Sequence, residues 1–303
     1  MDKIDILSGY CKESGCGFKL NEALAGYTSF KIGKTADIVV LPNTERQLFE
    51  IMRIVKECEL GYILLGNGSN VLLCEKNFGG AVIITSNMSD IKIESESVYA
   101  GCGTSLNKIA SAAKAHCLSG LEFAYGIPGS LGGAVHMNAG AYGGQMSDVV
   151  FSSRCLDTDS LEIKDLSAAQ HEFAYRESIY SKNNSLIAMS AVLNLKYGDQ
   201  SKIESEMEKN MAARREKQPL EYPSAGSVFK RIDGQYAAKL IDDCGLKGRC
   251  VGGAMVSKKH AGFIINAQNA SFSDVTELIA CIKSEVFDKT GINLECEIKI
   301  IEW

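Results

Sequence analysis

Gly126-Ile-Pro-Gly-Ser-Leu-Gly-Gly-Ala-Val-His-Met-Asn-Ala-Gly-Ala-Tyr-Gly-Gly144 places glycine at positions 126, 129, 132, 133, 140, 143 and 144, in the middle of a chain of 303 residues. Glycine has no Cβ, so its backbone reaches positive φ and can lie against a ligand at van der Waals distance. In a regular element it costs about 0.5–1 kcal/mol. So dense a cluster serves something other than packing, and the pattern suggests a cofactor laid along the backbone. A flexible surface linker is the competing reading. Ile127, Leu131, Val135 and Met137 weigh against it, because flexible linkers are Ser-rich and polar.

Two shorter glycine motifs lie upstream, Gly66-Asn-Gly68 and Gly101-Cys-Gly103. Each imitates the start of the dinucleotide fingerprint G-x-G-x-x-G, but Val71 and Leu106 stand where its last glycine belongs. That glycine is needed for close helix-to-strand packing, so a Rossmann domain is not expected. Asn67, Ser69 and Asn70 add side-chain donors to the 66–70 turn, a composition suited to holding a pyrophosphate on backbone and amide groups. By itself the pentapeptide reads equally well as a plain turn.

Around these motifs the chain reads as three units. Ala36–Leu41 has strand character and stops at Pro42, and Thr44 then caps a helix whose apolar face is Leu48, Ile51, Met52 and Val55. Strands are expected at Tyr62–Leu65, Val71–Leu73 and Gly80–Ile84. The second unit opens with short strands from Ile91 to Ala100 and a helix from about Ser105 to His116. After the glycine-rich segment it continues with strands around Val149–Leu156 and Leu186–Tyr197. Residues 201–217 read as a charged amphipathic helix with Ile203, Met207 and Met211 on one side. The third unit contains Pro223-Ser-Ala-Gly-Ser-Val-Phe229, a helix near Tyr236–Cys244 and strands around Ala254 and Phe263. A long helix capped by Ser273 and ended before Gly291 follows, and then a last strand, Leu294–Ile301. The expected boundaries are 1–85, 86–205 and 206–303, and the last strand is free to pack back on the first units.

Composition narrows the class. Hydrophobic residues make up 46% and charged residues 23%, which is globular, and no apolar run reaches the ~18 residues that cross a bilayer. Mean hydropathy is -0.02. The start, Met-Asp-Lys-Ile-Asp, shows no basic region followed by an apolar core, so a cytoplasmic location is expected. The 11 cysteines contain no Cys-x-x-Cys pair and read as reduced, mostly core residues rather than zinc or redox sites. A net charge of -5 argues against a nucleic-acid partner. Only Arg214-Arg-Glu-Lys217 forms a basic cluster, and His116, His136, His171 and His260 have no metal-ligand spacing.

Seven segments together resemble a known family. They are Thr28-Ser-Phe-Lys-Ile-Gly33 with Ala36-Asp37, Leu65-Gly-Asn-Gly-Ser-Asn-Val-Leu72, Gly120 through Val135, Asn138-Ala-Gly-Ala-Tyr142, Tyr175-Arg-Glu-Ser178, Ala225-Gly-Ser-Val-Phe-Lys230 and Leu294-Glu-Cys-Glu-Ile298. Their order and spacing resemble those of the UDP-N-acetylenolpyruvoylglucosamine reductases of peptidoglycan synthesis, over nearly the whole chain. The resemblance implies an α+β fold: a two-subdomain FAD-binding unit of the vanillyl-alcohol-oxidase (PCMH) type, then a smaller α+β substrate-binding domain. It implies FAD along Gly66, Asn67, Gly68, Ser69 and Asn70, and along Gly126, Ile127, Pro128, Gly129, Ser130, Gly132, Gly133, Ala134 and Asn138.

The implied chemistry is reduction of flavin by NADPH, followed by hydride delivery to the distal carbon of the enolpyruvyl group of UDP-N-acetylglucosamine enolpyruvate. Arg176 matches the family arginine, whose planar fork suits a carboxylate becoming an enolate. Glu297 matches the glutamate that accompanies it, and Ser227 the serine that protonates the intermediate carbon. Arg176 and Glu297 are expected to act on one developing charge. Lys217, Phe229 and Lys230 fall at substrate-side positions, Lys217 as a point charge for the diphosphate. Taken singly, the arginine, glutamate and serine read as surface or turn residues.

Three departures qualify the match. Tyr175-Arg-Glu-Ser runs quickly into the strand at Leu186, without the inserted tyrosine loop of the family's longer branch. Arg231 replaces the asparagine expected after Lys230, so that contact to uridine diphosphate is not carried over. Cys296 replaces a frequent proline but leaves Glu297 in register. Two alternatives stay open at this stage, another flavin oxidoreductase on the same scaffold and a non-enzymatic nucleotide-sugar binder. A monomer or weak oligomer is expected.

Overall fold

The computed structural model describes residues 2–232 and 235–303; Met1, part of the N-terminal stretch read above, lies outside them. The chain divides into two compact units. One comprises Met1–Glu22, Ala36–Asn67 and Gly79–Ala213, the other Ala23–Thr35, Gly68–Phe78 and Arg214–Trp303.

Two larger sheets frame the first unit. A four-stranded sheet runs in the order Gly17–Ala23, Thr35–Leu41, Phe78–Ile84, Tyr62–Leu65, its last pair parallel. Thr44 caps the helix Glu45–Glu57 as its sequence predicts, accepting from Gln47 N–H at 3.2 Å. The apolar stripe Leu48, Ile51, Met52 and Val55 joins Ile38, Val40, Ala81 and Ile83 in one core. The sequence reading passed over a second helix in that core, Lys3–Ser14. Its signals are local ones, Asp2 accepting from Ile4 N–H and Gly15 ending it at φ 68°.

The other sheet of this unit is antiparallel, in the order Glu162–Ser167, Val150–Asp157, Leu186–Asn194, Ser97–Gly101, Ile91–Glu94. Its core takes Leu106, Ile109 and Ala113 from the helix Leu106–Ala115, and Ile203 and Met207 from the charged helix Gln200–Lys217. Asn210, on that same helix, is buried and donates to the Glu122 carbonyl at 3.1 Å, so the buried face is not purely apolar. The glycine-rich segment contains an unforeseen short helix, Leu131–His136, with Ser130 as its cap.

The second unit is built on an antiparallel sheet in the order Ser224–Ser227, Phe263–Asn266, Ala254–Val256, Cys250–Val251. Helices Ala237–Asp243 and Phe272–Thr290 supply Ile241, Val275, Leu278 and Ile282 to a core that also takes Phe30, Ile32 and Leu72. Regular strand at the C-terminus is confined to Lys299–Ile301, paired in parallel with Val71–Leu73. The expected strand from Leu294 is broken because the chain changes partner: Cys296 bridges Phe229 before the new ladder starts. Among the described residues no helix is long and apolar enough to cross a membrane.

The cap of the long helix is Ser271, not Ser273. Ser271 Oγ accepts from Asp274 N–H at 2.9 Å, while Asp274 Oδ2 accepts from Ser271 N–H at 3.0 Å and Gly253 N–H at 2.9 Å. Reciprocal bonds of this kind satisfy two orphan donors at once. Ser271→Ala should therefore lower unfolding stability by about 1 kcal/mol. Ser273→Ala should stay within about 0.5 kcal/mol, the usual range for a surface change. Urea midpoints of the two variants check the assignment, and equal midpoints would contradict it.

Candidate functional site

In the first unit the glycine motifs exist to let backbones meet. Gly129 C=O accepts from Leu106 N–H at 3.0 Å, Leu131 N–H donates to Thr104 C=O at 2.8 Å, and Gly132 N–H donates to Cys102 C=O at 2.8 Å. The glycine-rich run is thus zipped along residues 102–106. A Cβ on Gly66 would collide with Ser130 Oγ, one on Gly103 with the Thr85 carbonyl, and one on Gly132 would sit 2.9 Å from Cys102 Cβ. Asn67 Nδ2 donates to Pro128 C=O at 3.1 Å, and Gly126 N–H donates to Asn107 Oδ1 at 2.6 Å.

These bonds leave particular donors over. Among the described residues, no protein acceptor takes the N–H groups of Gly66, Asn67, Gly68, Ser69 and Asn70, nor those of Gly129 and Ser130. A run of unpaired backbone donors suits anionic oxygens, so each of these short runs fits the diphosphate of a dinucleotide such as FAD. Gly133 is exposed, and a Cβ there meets only Ser130 Oγ, at an ordinary 3.5 Å. Ile127 and Ala134 instead belong to the core, Ile127 partly buried and Ala134 fully.

Asn138 has a different job from the one its sequence suggested. It is 1% exposed. Its Nδ2 donates to Ala174 C=O at 3.0 Å and to Gln145 Oε1 at 3.3 Å, and its Oδ1 accepts from Ser147 N–H at 2.9 Å. The amide ties three loops together. One of these carries Arg176, which is half-buried, has φ 58°, and donates from a terminal nitrogen to Gly140 C=O at 3.2 Å.

In the second unit the fold brings Ser227 and Glu297 side by side. Glu297 N–H donates to Val228 C=O at 2.7 Å, and Lys230 N–H donates to Glu295 C=O at 2.9 Å. Asn70 Nδ2 donates to Glu297 C=O at 3.3 Å while Asn70 C=O accepts from Lys299 N–H at 2.9 Å, so the 68–70 turn is stitched to the segment that carries the glutamate. Gly68 permits this at φ 58°, where a Cβ would strike the Tyr27 carbonyl. Both Ser227 and Glu297 are half-buried. Phe229 is 4% exposed and packs in the core. Lys230 Nζ lies 3.4 Å from Glu295 Oε2, and Lys217 is exposed at its helix end.

Comparison with known proteins identifies the family. Residues 36–164 match an FAD binding domain, and residues 218–301 match the C-terminal domain of UDP-N-acetylenolpyruvoylglucosamine reductase. The chain is 45% identical over 282 residues to the UDP-N-acetylenolpyruvoylglucosamine reductase of Caldanaerobacter subterraneus subsp. tengcongensis, covering 93% of each protein. It is 44% identical to the Clostridioides difficile protein of that name, covering 98% of this chain and 97% of the relative. The crystal structure of the reductase from Thermus caldophilus superimposes with a TM-score of 0.80 at 31% identity, over 95% of this chain and 99% of that one. With its α+β architecture and paired glycine cradles, this chain belongs to the UDP-N-acetylenolpyruvoylglucosamine reductase family.

Proposed function

We propose that this protein reduces the enolpyruvyl group of UDP-N-acetylglucosamine enolpyruvate to give UDP-N-acetylmuramate, a step of peptidoglycan precursor synthesis, with FAD as cofactor and NADPH as reductant. One observation carries the reading at residue level: the backbone ladder that sets Glu297 beside Ser227-Val228, outside the segment matched to the FAD binding domain. A hydroxyl and a carboxyl on adjacent backbone segments suit proton delivery to a carbon, which a flavin site by itself does not require.

FAD, when bound, supplies the hydride it has taken from NADPH. The remaining steps belong to the chain. The exposed N–H groups of 66–70 and 129–130 hold the diphosphate, and Gly133 leaves room for the ligand beside its helix. Arg176 binds the substrate carboxylate with its planar fork and stabilises the charge that grows there, an interaction worth most where water is excluded. Ser227 Oγ–H gives its proton to the carbon next to that carboxylate, and Glu297 acts with Arg176 on the charge developing there. Lys217 and Lys230 supply point charges for the uridine diphosphate, whereas Phe229 acts through the backbone its buried ring anchors. We assign FAD binding to 1–85 and 86–205 and substrate binding to 206–303, in a cytoplasmic monomer or weak oligomer.

Ser227→Ala should leave reduction of the flavin by NADPH near its normal rate. Reoxidation by the enolpyruvyl sugar nucleotide should slow by at least ~10²-fold, the usual worth of a general acid. Stopped-flow absorbance of the two half-reactions checks this, and equal slowing of both would remove the serine from the mechanism.

A pair of neighbouring glycines tests the cradle. Gly132→Ala forces a methyl onto Cys102 and should lower the melting temperature of the apoprotein. Gly133→Ala meets no crowded atom and relieves a helical glycine, so apoprotein stability should hold or rise by about 0.5–1 kcal/mol while FAD affinity falls. Titration of FAD into Gly133→Ala apoprotein with unchanged affinity would move the cofactor off this run.

A further inference from the structure

Arg176 sits at φ 58°, the left-handed region that residues with a Cβ seldom occupy. Such strain costs of order 1–3 kcal/mol and persists only where the surroundings over-determine it. Its own turn supplies two bonds, Glu177 N–H to Ala174 C=O at 3.2 Å and Ala174 N–H to Glu177 C=O at 3.0 Å. Ser178 Oγ donates to His136 C=O at 2.7 Å, and Asn138 holds Ala174 C=O as described. These fix the middle of the loop but not its two ends.

The ends meet underneath it. His171 and Tyr180 flank the loop 172–179, and both reach Ser153 on the strand Val150–Asp157: Ser153 Oγ lies 2.7 Å from His171 Nε2 and 2.6 Å from Tyr180 Oη. Ser153 and Tyr180 are each 2% exposed and His171 is 0%. The imidazole also stacks on Phe173, with ring planes 1° apart and centroids at 4.9 Å.

Hydrogen bonds thus join Ser153 Oγ to both Tyr180 Oη and His171 Nε2, while Nδ1 is buried with no hydrogen-bond partner among the described residues. Burial keeps the ring neutral, pushing its pKa below the usual histidine value.

We infer that the buried chain Tyr180–Ser153–His171 is a positioning device for Arg176, closing both ends of the 172–179 loop on one serine and so holding the arginine in its left-handed geometry. Removing Ser153 takes a hydrogen bond from two buried polar partners at once, a larger loss than the bonds themselves, while removing His171 or Tyr180 costs one bond. The three side chains touch neither the glycine cradle nor the Ser227 ladder in any hydrogen bond among the described residues. Their effect should therefore reach the reaction only through the arginine loop. The consequence for catalysis rests on the reading of Arg176 as the carboxylate-binding group.

The test uses Tyr180→Phe, which loses one hydroxyl and keeps the ring, and Ser153→Ala, which cuts both bonds. Hydrogen exchange of the peptide spanning 172–178, followed by mass spectrometry with and without FAD, should speed up about tenfold in each, the scale of one hydrogen bond. In flavin-loaded enzyme the reoxidation half-reaction should slow about tenfold while reduction by NADPH is unchanged. His171→Gln, whose side chain can still bond to Ser153, should recover most of the wild-type exchange rate where His171→Phe does not. Unchanged exchange in 172–178 overturns the inference, as does equal slowing of both half-reactions in Tyr180→Phe. Arg176→Ala separates the two readings: if it leaves reoxidation untouched, the role given to the arginine fails, while the exchange data still decide what holds the loop.

Discussion

At Gly66, Gly103 and Gly132 a single added carbon would land on Ser130 Oγ, on the Thr85 carbonyl or against Cys102 Cβ. This exclusion of Cβ atoms is the constraint on which the first unit turns. Backbones that approach so closely bond to each other, as 129–132 does to 102–106, and that pairing uses up some N–H groups while turning others away from protein. The donors left at 66–70 and 129–130 are thus a by-product of how the backbones fit. Glycine here is chosen less for flexibility than for thinness, which explains why apolar Ile127, Leu131 and Val135 can alternate with it and pack into the core.

In the second unit the same economy of backbone applies: main-chain bonds between 228–230 and 295–297 bring the segments of Ser227 and Glu297 together. The core residues that fix this ladder are Val228, Phe229 and Ile298, all buried. Ser227 and Lys230, which flank Val228 and Phe229, and Glu297, which precedes Ile298, are left half-buried. Asn70 adds a side-chain bond to the Glu297 carbonyl, tying the turn after the first glycine motif to the segment bearing the glutamate.

Arg176 is held differently. Its backbone conformation is unfavourable, and polar side chains rather than a ladder maintain it: Asn138 and Ser178 from above, Ser153 with His171 and Tyr180 from below. Networks of buried hydrogen bonds define one geometry sharply, since each partner lost leaves another unsatisfied. A guanidinium that must meet a carboxylate along two parallel bonds benefits from that kind of definition.

The sequence by itself determined whatever depends on neighbours along the chain. Thr44 before its apolar stripe, the strand ending at Pro42 and the glycines of 126–144 could be read one by one, because caps, periodicity and missing Cβ atoms are local properties. The order of the seven family segments likewise needs no coordinates. The helix Lys3–Ser14 also carries local caps in Asp2 and Gly15; its apolar stripe is weak, and so it was passed over. Ser271 and Ser273 both stand before the apolar run, and the reciprocal bonds between Ser271 and Asp274 separate them. Tertiary structure alone decided that Asn138 is a buried clasp, that the C-terminal strand changes partner after Cys296, and that Ser153, His171 and Tyr180 form one chain. Each joins groups far apart in sequence through side chains whose direction is set by the packing of other elements, and no pattern of residues along the chain records that direction.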